Sequence, residues 1–529
     1  MAKYVNLDAM IPREDFEVDN EGAAPSKRLG TEMKLTELEA SGIIYSSLRK
    51  PDFQRETSSW DAAKVADFIK SFVDGDLIPA IIMWRSPKTG NLFVIDGAHR
   101  LSALVGWIND DYGDQVLSRP FFQHMLEAAQ QKAAADTRQR VAADLGTYAQ
   151  LKQFALKPDA APDELSLLRG RNMGAFAITL QWVEGDADAA ERSFFKINQS
   201  AARIDDTELA LIKSRRKPNA IATRALIRAG TGHKYWSSFG AVTKDSIEKI
   251  AKGVYDSLFL PVLEYPIKTL DLPAADRGYT AGSVAMIFDL ANYLSGSPEG
   301  GIADDDNGDA TLKLLRKVEH AASRVFGPDP SSLGLHPGVY CYGATGRFQS
   351  TAFLAAIAFV QDLENRKAFD RFTKHRKDFE EFLLRYRYFV NQINKNYSRA
   401  GVALRPVSRM YEIVLSGVSQ GHSDDTIIRA IQAEKSLNTV KPATEDDRKY
   451  GRNFTRETKT AAFLREALAK ELTCAICGSR LHFRSISTDH IVRKAEGGTG
   501  HPDNAQLTHP YCNTGYKEKM AHVSRGAGS

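Results

Sequence analysis

The sequence predicts a multidomain α+β protein, and three observations carry that reading. At 529 residues the chain is too long for one hydrophobic core, since single cores stop growing near about 250–300 residues. Its apolar patterns change along its length, with short strands alternating with helices in the first part and long helical periods in the middle. Three of its four cysteines fall between Cys474 and Cys512, so the C-terminus reads as a small unit held by metal.

Taken in order, residues 1–40 read as a polar leader, and within a first domain over 41–215 the segment Leu48 to Asn109 reads as compact α/β material. SSWDAAKVADFIKSFVDG has helix spacing with Ser58 or Ser59 as a cap. IPAIIMW and NLFVID are strands around the turn PKTG, and AHRLSALVGWI returns to helix. From about 115 to 190 the pattern is mostly helical. FFKINQSAARIDDTELALIKSRR then predicts a short strand, a polar turn and a helix. Residues 216–425 form a helical middle, including the amphipathic TLKLLRKVEHAASRVF. A helical connector spans 426–470, and the cysteine-bearing domain spans 471–529. No internal repeat is apparent.

Composition excludes several classes. No run of about 20 apolar residues exists, which argues against a membrane span. The N-terminus lacks the apolar core of a signal peptide, so a cytoplasmic location is expected. Four cysteines in so long a chain do not make a disulfide scaffold. A net charge of +4 does not by itself identify a nucleic-acid binder, although local basic surfaces can neutralise phosphates.

The chemistry concentrates in the last sixty residues. Cys474 and Cys477 form a C-x2-C hook, and His509 with Cys512 repeats the spacing as H-x2-C. Two such hooks match a structural Zn²⁺ site; the alternative is three reduced cysteines grouped by chance. Between the hooks, Asp489 and His490 end the strand-like ISTDHIV, and Gly497, Gly498 and Gly500 permit a tight return before Asn504. Phosphodiester hydrolysis needs a base beside an attacking water and a hard cation on the phosphate, and adjacent Asp and His on a strand can serve these separate roles.

The tract from Cys474 to about Lys519 resembles the HNH endonuclease family. The resemblance implies a ββα-metal core braced by a zinc knuckle, with His490 as general base, Asp489 and Asn513 as ligands of a catalytic Mg²⁺ or Mn²⁺, and Asn504 orienting the loop that carries the base. Lys517 looks like the family's following basic residue, a candidate contact for the DNA backbone. His509 stands where braced members usually carry cysteine, a substitution that Zn²⁺ accepts. His482 and His501 read as surface residues or neighbours of the ligands.

A second constellation lies in LFVIDGAHRLSAL. Asp96, Gly97, His99 and Arg100 form either an anion or nucleotide site at a helix start, or a helix cap followed by a buried structural arginine. The tract resembles the ParB and sulfiredoxin-like superfamily, most closely the DUF262 branch with its D-G-Q-x-R box, over roughly residues 40–215. Arg55 and Trp60 fit the upstream positions, and Phe195 with Asn198 the downstream segment. The resemblance implies a sensor that binds GTP or ATP, or that reads a DNA modification, in bacterial anti-phage restriction. Ala98 replaces the box glutamine and offers neither a ligand nor a hydrogen bond.

Elsewhere, Arg371, Lys374, Arg376 and Lys377 lie on a basic helix that could face DNA phosphates or simply water. Lys213, Arg215, Arg216 and Lys217 pose the same choice. Cys341 and the GATGR turn read as a packed thiol and an ordinary loop. The combined expectation is a metal-dependent endonuclease or nickase acting on double-stranded DNA, modified or phosphorothioated, and gated by the N-terminal domain. The alternatives are a nucleotide-gated nickase of unmodified DNA and a non-catalytic DNA-binding regulator. One HNH centre cuts one strand, so a homo-oligomer would pair two centres.

Overall fold

The computed structural model describes residues 4–14, 16, 29–52, 54, 57–122, 126, 128–200, 206–296, 301–397, 399–442 and 453–519. The chain divides into two compact units, residues 1–215 with 231–237, and residues 216–230 with 238–529. Among the described residues no helix is long and apolar enough to cross a membrane.

The first unit is α+β. Among the described residues its strands are β1 (Arg13–Glu14), β2 (Glu32–Lys34), β3 (Leu48–Pro51), β4 (Ile81–Arg85), β5 (Leu92–Asp96) and β6 (Ala177–Trp182). They lie in the order β1-β3-β5-β4-β6-β2. β4 and β5 pair antiparallel around the PKTG turn, while β5 runs parallel to β3. Successive side chains of a strand face opposite sides, and β5 is apolar on both. Leu92 and Val94 join the core formed with Val65, Ile69, Leu101 and Leu104 of the helices Ala62–Asp74 and Ala98–Ile108. Phe93 and Ile95 pack instead with Phe16, Trp84, Ala190 and Phe194.

Three sequence expectations change here. The segment FFKINQ is not a strand but the end of the helix Ala187–Ser200, because Ala187, Ala190 and Phe194 repeat at helical spacing and cover one sheet face. The stretch from 115 to 190 contains β6, whose inward Ile178 and Leu180 alternate with exposed neighbours. The described parts of the leader belong to the fold. Val5, Leu7, Met10 and Ile11 are buried, β1 extends the sheet beside β3, and β2 pairs with β6. Asp8 is buried there with two cations of its own, Arg13 at 2.8 Å and Lys50 at 2.7 Å.

The second unit is helical and carries the C-terminal module. The helix Ser350–Asn365 is buried without interruption from Thr351 to Val360, the pattern of a helix surrounded by others. The basic helix Phe369–Arg385 buries Phe372, Arg376, Phe379 and Leu383 and exposes Arg371, Lys374 and Lys377. The C-terminal module has a two-stranded antiparallel pair, β7 (Ser487–His490) and β8 (Ala505–Thr508), followed by a helical segment over residues 510–519 that packs against the basic helix. Tyr511 Oη donates to Asp370 at 2.6 Å and Arg480 pairs with Glu381 at 2.9 Å. The Ser485 hydroxyl caps the carbonyls of Phe326 and Gly327 at 2.8 and 3.0 Å. These bonds fasten the ββα module to the helices.

Candidate functional site

The metal cluster is built from a hairpin and a helix end. Cys474 N–H donates to the Ser479 carbonyl and Gly478 N–H returns to the Cys474 carbonyl, both at 2.8 Å, which curls the first hook. His509 follows β8 directly, and Cys512 lies one turn later. The ligand atoms of Cys474, Cys477, His509 and Cys512 all lie within 4.8 Å of one another. His509 Nδ1 is 3.4 Å from Cys477 Sγ and 3.8 Å from Cys512 Sγ, while Nε2 bonds the Arg480 carbonyl at 3.0 Å. That bond holds the ring with Nδ1 turned inward, as an orienting partner does for a metal-bound imidazole.

The donor set fits a structural metal. Burial lowers the His509 pKa, which keeps the imidazole neutral and able to coordinate. Hydrogen bonds from Cys477 and Cys512 push the Cys474 thiol down, and the Cys474 contact with burial raises Cys477 to about 11. The cluster's apolar support is slight, with Leu481 buried and Ile476 and Ile486 packed beside it, so a metal held here would supply cohesion that packing cannot.

Asp489 and His490 occupy the end of β7, opposite Gln506 and Ala505 of β8. Asp489 is buried, and its carboxylate accepts from Gln506 Nε2 at 2.7 Å and from Lys517 Nζ at 2.7 and 2.9 Å. His490 is half-buried. Asn504 staples the loop that leaves the strand, its side chain accepting from Val492 N–H at 2.7 Å and donating to the carbonyls of Val492 and Thr499 at 3.1 and 2.8 Å. Gly498 is required inside this loop, since a Cβ there would meet the Val492 carbonyl oxygen at 1.8 Å. Asn513 reaches β7 from the final helical segment, donating to Ser487 Oγ at 2.9 Å and the Thr488 carbonyl at 3.3 Å. Its turn, Cys512–Tyr516, is a π turn, a local irregularity common at functional positions.

Several expected roles change. Arg376 is 1% exposed and bonds Glu380 Oε1 at 2.7 Å and the Gly334 carbonyl at 3.1 Å, so it cannot meet a DNA backbone. Arg371, Lys374 and Lys377 do face solvent, with Arg371 also donating to Ser419 Oγ at 2.7 Å. Lys517 turns inward to Asp489 rather than out to a backbone. His482 is no surface residue: it is buried edge-on against His336, ring centroids 5.4 Å apart, and burial lowers its pKa to about 4. His501 is exposed and its ring accepts from Asp503 N–H at 3.3 Å. Cys341 is fully buried, and that burial raises its thiol. Gln506 was not singled out from the sequence; its position opposite Asp489 follows only from strand register.

In the first unit, Gly97 starts the helix Ala98–Ile108 with φ +94°, a conformation that glycine adopts without penalty. Arg100 turns back to Asp96 at 2.8 Å and donates to the Pro79 carbonyl. Burial lowers its pKa, the Asp96 charge opposing that. His99 Nε2 bonds Ser59 Oγ at 2.8 Å and its ring stacks on Trp60 with centroids 5.7 Å apart. Ala98 is buried. Arg55 lies outside the described residues. Arg215 pairs with Glu191 at 3.0 Å and Asp52 at 3.2 Å, and Arg216 with Asp306 at 3.2 Å.

A ββα pair with a Cys3His metal-binding cluster and an Asp-His strand end, following an α+β domain and helices in the sequence, defines the class as a metal-dependent nuclease with an appended N-terminal domain. Residues 35–216 match the family model described as GmrSD restriction endonuclease, N-terminal domain, and residues 474–519 match that of HNH endonuclease. No curated protein and no solved structure matches the chain. The chain thus fuses a GmrSD-type N-terminal domain to an HNH endonuclease domain, the architecture of a restriction-system nuclease.

Proposed function

We propose that the chain is a metal-dependent DNA endonuclease or nickase of a bacterial anti-phage restriction system, gated by its N-terminal domain. The observation that carries this reading is the pairing of Asp489 and His490 on one strand end with a helical segment that Cys512 and His509 anchor. In this reading the Cys3His set holds Zn²⁺ and braces the fold. Asp489 and Asn513 hold Mg²⁺ or Mn²⁺, which when bound stabilises the charge developing on the scissile phosphate. His490 takes the proton of the attacking water. Asn504 fixes the loop behind that base, so the imidazole keeps one approach to the phosphate. Arg371, Lys374 and Lys377 supply backbone contacts on the exposed face of their helix.

Double-stranded DNA carrying a modified base or a phosphorothioate is the favoured input. Arg100 is committed to Asp96 and Pro79, and Ala98 lacks a ligand atom, both of which disfavour GTP or ATP bound at this box. The test is cleavage of matched unmodified, base-modified and phosphorothioate DNA with Mg²⁺ or Mn²⁺, with and without GTP or ATP. His490→Ala should cut about 10²–10⁴-fold more slowly while retaining its zinc. Equal cutting by the variant would remove His490 as the base, and dependence on nucleotide alone would favour the nucleotide-gated nickase.

A further inference from the structure

We propose that Lys517 is an internal cation that guards the Asp489 carboxylate, and that it must leave before a divalent ion binds there. The inference rests on the reading of Asp489 as a metal ligand. Lys517 Nζ sits 2.9 Å from Asp489 Oδ1 and 2.7 Å from Oδ2, and it also donates to the His490 carbonyl. An ammonium group has three donors, and these three contacts all go to the strand end that carries the proposed chemistry. Gln506 Nε2 completes the carboxylate's partners at 2.7 Å.

Charge and distance make the two occupants exclusive. The Asp489 side chain is 7% exposed and that of Lys517 18%, so water screens their attraction far less than at an open surface. Mg²⁺ binds oxygen ligands at about 2.0–2.1 Å, which would bring such an ion against an ammonium group bridging both carboxylate oxygens. Two cations so close repel strongly in a half-buried site. Lysine is suited to give way, because its charge rides on a flexible four-carbon stem. Gln506 is neutral and can remain, holding the carboxylate in place while the cations exchange. The result is a metal threshold: at low free divalent ion Lys517 stays on Asp489 and the centre is held inactive.

Linkage requires the coupling to be reciprocal. Removing the lysine charge should tighten metal binding, and metal should release the lysine. The experiment is Mn²⁺ binding to the zinc-loaded full chain, followed by electron paramagnetic resonance, for wild type, Lys517→Met, Lys517→Arg and Asp489→Asn. Zinc content and melting temperature establish that each variant is folded. Lys517→Met should bind Mn²⁺ about tenfold more tightly, Lys517→Arg should stay near wild type, and Asp489→Asn should lose the site. In parallel, labelling of Lys517 by an amine reagent, read by mass spectrometry, should rise when Mn²⁺ is added to wild type. Mn²⁺ binding that needs Asp489 but is unchanged in Lys517→Met, with labelling indifferent to Mn²⁺, overturns the guard and leaves the metal site standing. No Asp489-dependent binding in any folded protein overturns both.

Discussion

The first unit and the ββα module of the second solve the problem of cohesion differently. Around β5 in the first unit, apolar side chains fill both faces of the sheet, and the Asp96–Arg100 pair sits at the margin of a core that is already complete. The ββα module of the second unit has only a few apolar groups around Cys474, Leu481 and Cys512. It depends on thiols, an imidazole and bonds to neighbouring helices. Where apolar area is scarce, metal ligands and bonds to neighbouring elements take over the role of packing, and each such group becomes hard to replace.

Metal removal should break the comparison most visibly. Structural Zn²⁺ contributes about 10–16 kcal/mol to the folding of isolated zinc modules, and the apolar cluster here cannot replace it. Treatment with a strong chelator should expose residues 474–519 to proteolysis while the first unit remains resistant, as limited digestion with mass spectrometry would register. Cys512→Ser should act in the same way and lower zinc content. Equal protection of both regions after complete zinc loss would mean that the helices alone hold the module.

Arg376 tests the second support. Its guanidinium is sealed between Glu380 and the carbonyls of Leu333 and Gly334, and Tyr340 Oη also donates to Glu380 at 3.1 Å. Removing one partner of a buried pair typically costs about 3–5 kcal/mol, whereas replacing both with apolar groups is far milder. Arg376→Met should therefore destabilise the second unit by about that amount in denaturant unfolding, and adding Glu380→Leu should recover much of the loss. No recovery in the double variant would indicate that Arg376 acts through the Leu333 and Gly334 carbonyls rather than through the ion pair.

Much of this contrast was legible in the sequence, for reasons that differ by residue. The two hooks were readable because chelation demands short spacing, and β4, β5 and the helix after Gly97 because their periods are clean and bounded by turn residues. Arg376 was misread because a basic helix looks the same in one dimension whether its arginine faces water or a glutamate four residues on. FFKINQ was misread because the strand propensity of its aromatic and branched residues lost to the helical spacing of Ala187, Ala190 and Phe194. Gln506 and the inward turn of Lys517 depend on strand register and on where the final helical segment lies, and neither leaves a local signature.

The smallest expected effect lies in the first unit and sharpens the comparison from the other side. The side chains of Asp96 and Arg100 are 35% and 15% exposed, so solvent screens the pair and its contribution should be modest. Arg100→Met should cost about 1 kcal/mol in the melting of the first unit. Asp96→Asn should cost no more, since it leaves the Arg100 bond to the Pro79 carbonyl in place, and the double variant little more than Arg100→Met alone. Under the proposed gating, the response to modified DNA should fall no further than this stability loss accounts for. If Arg100→Met leaves stability unchanged yet abolishes that response, the guanidinium works on a ligand instead. The first unit would then keep at the end of β5 what the second keeps at Asp489: a charge paired internally until something else displaces its partner.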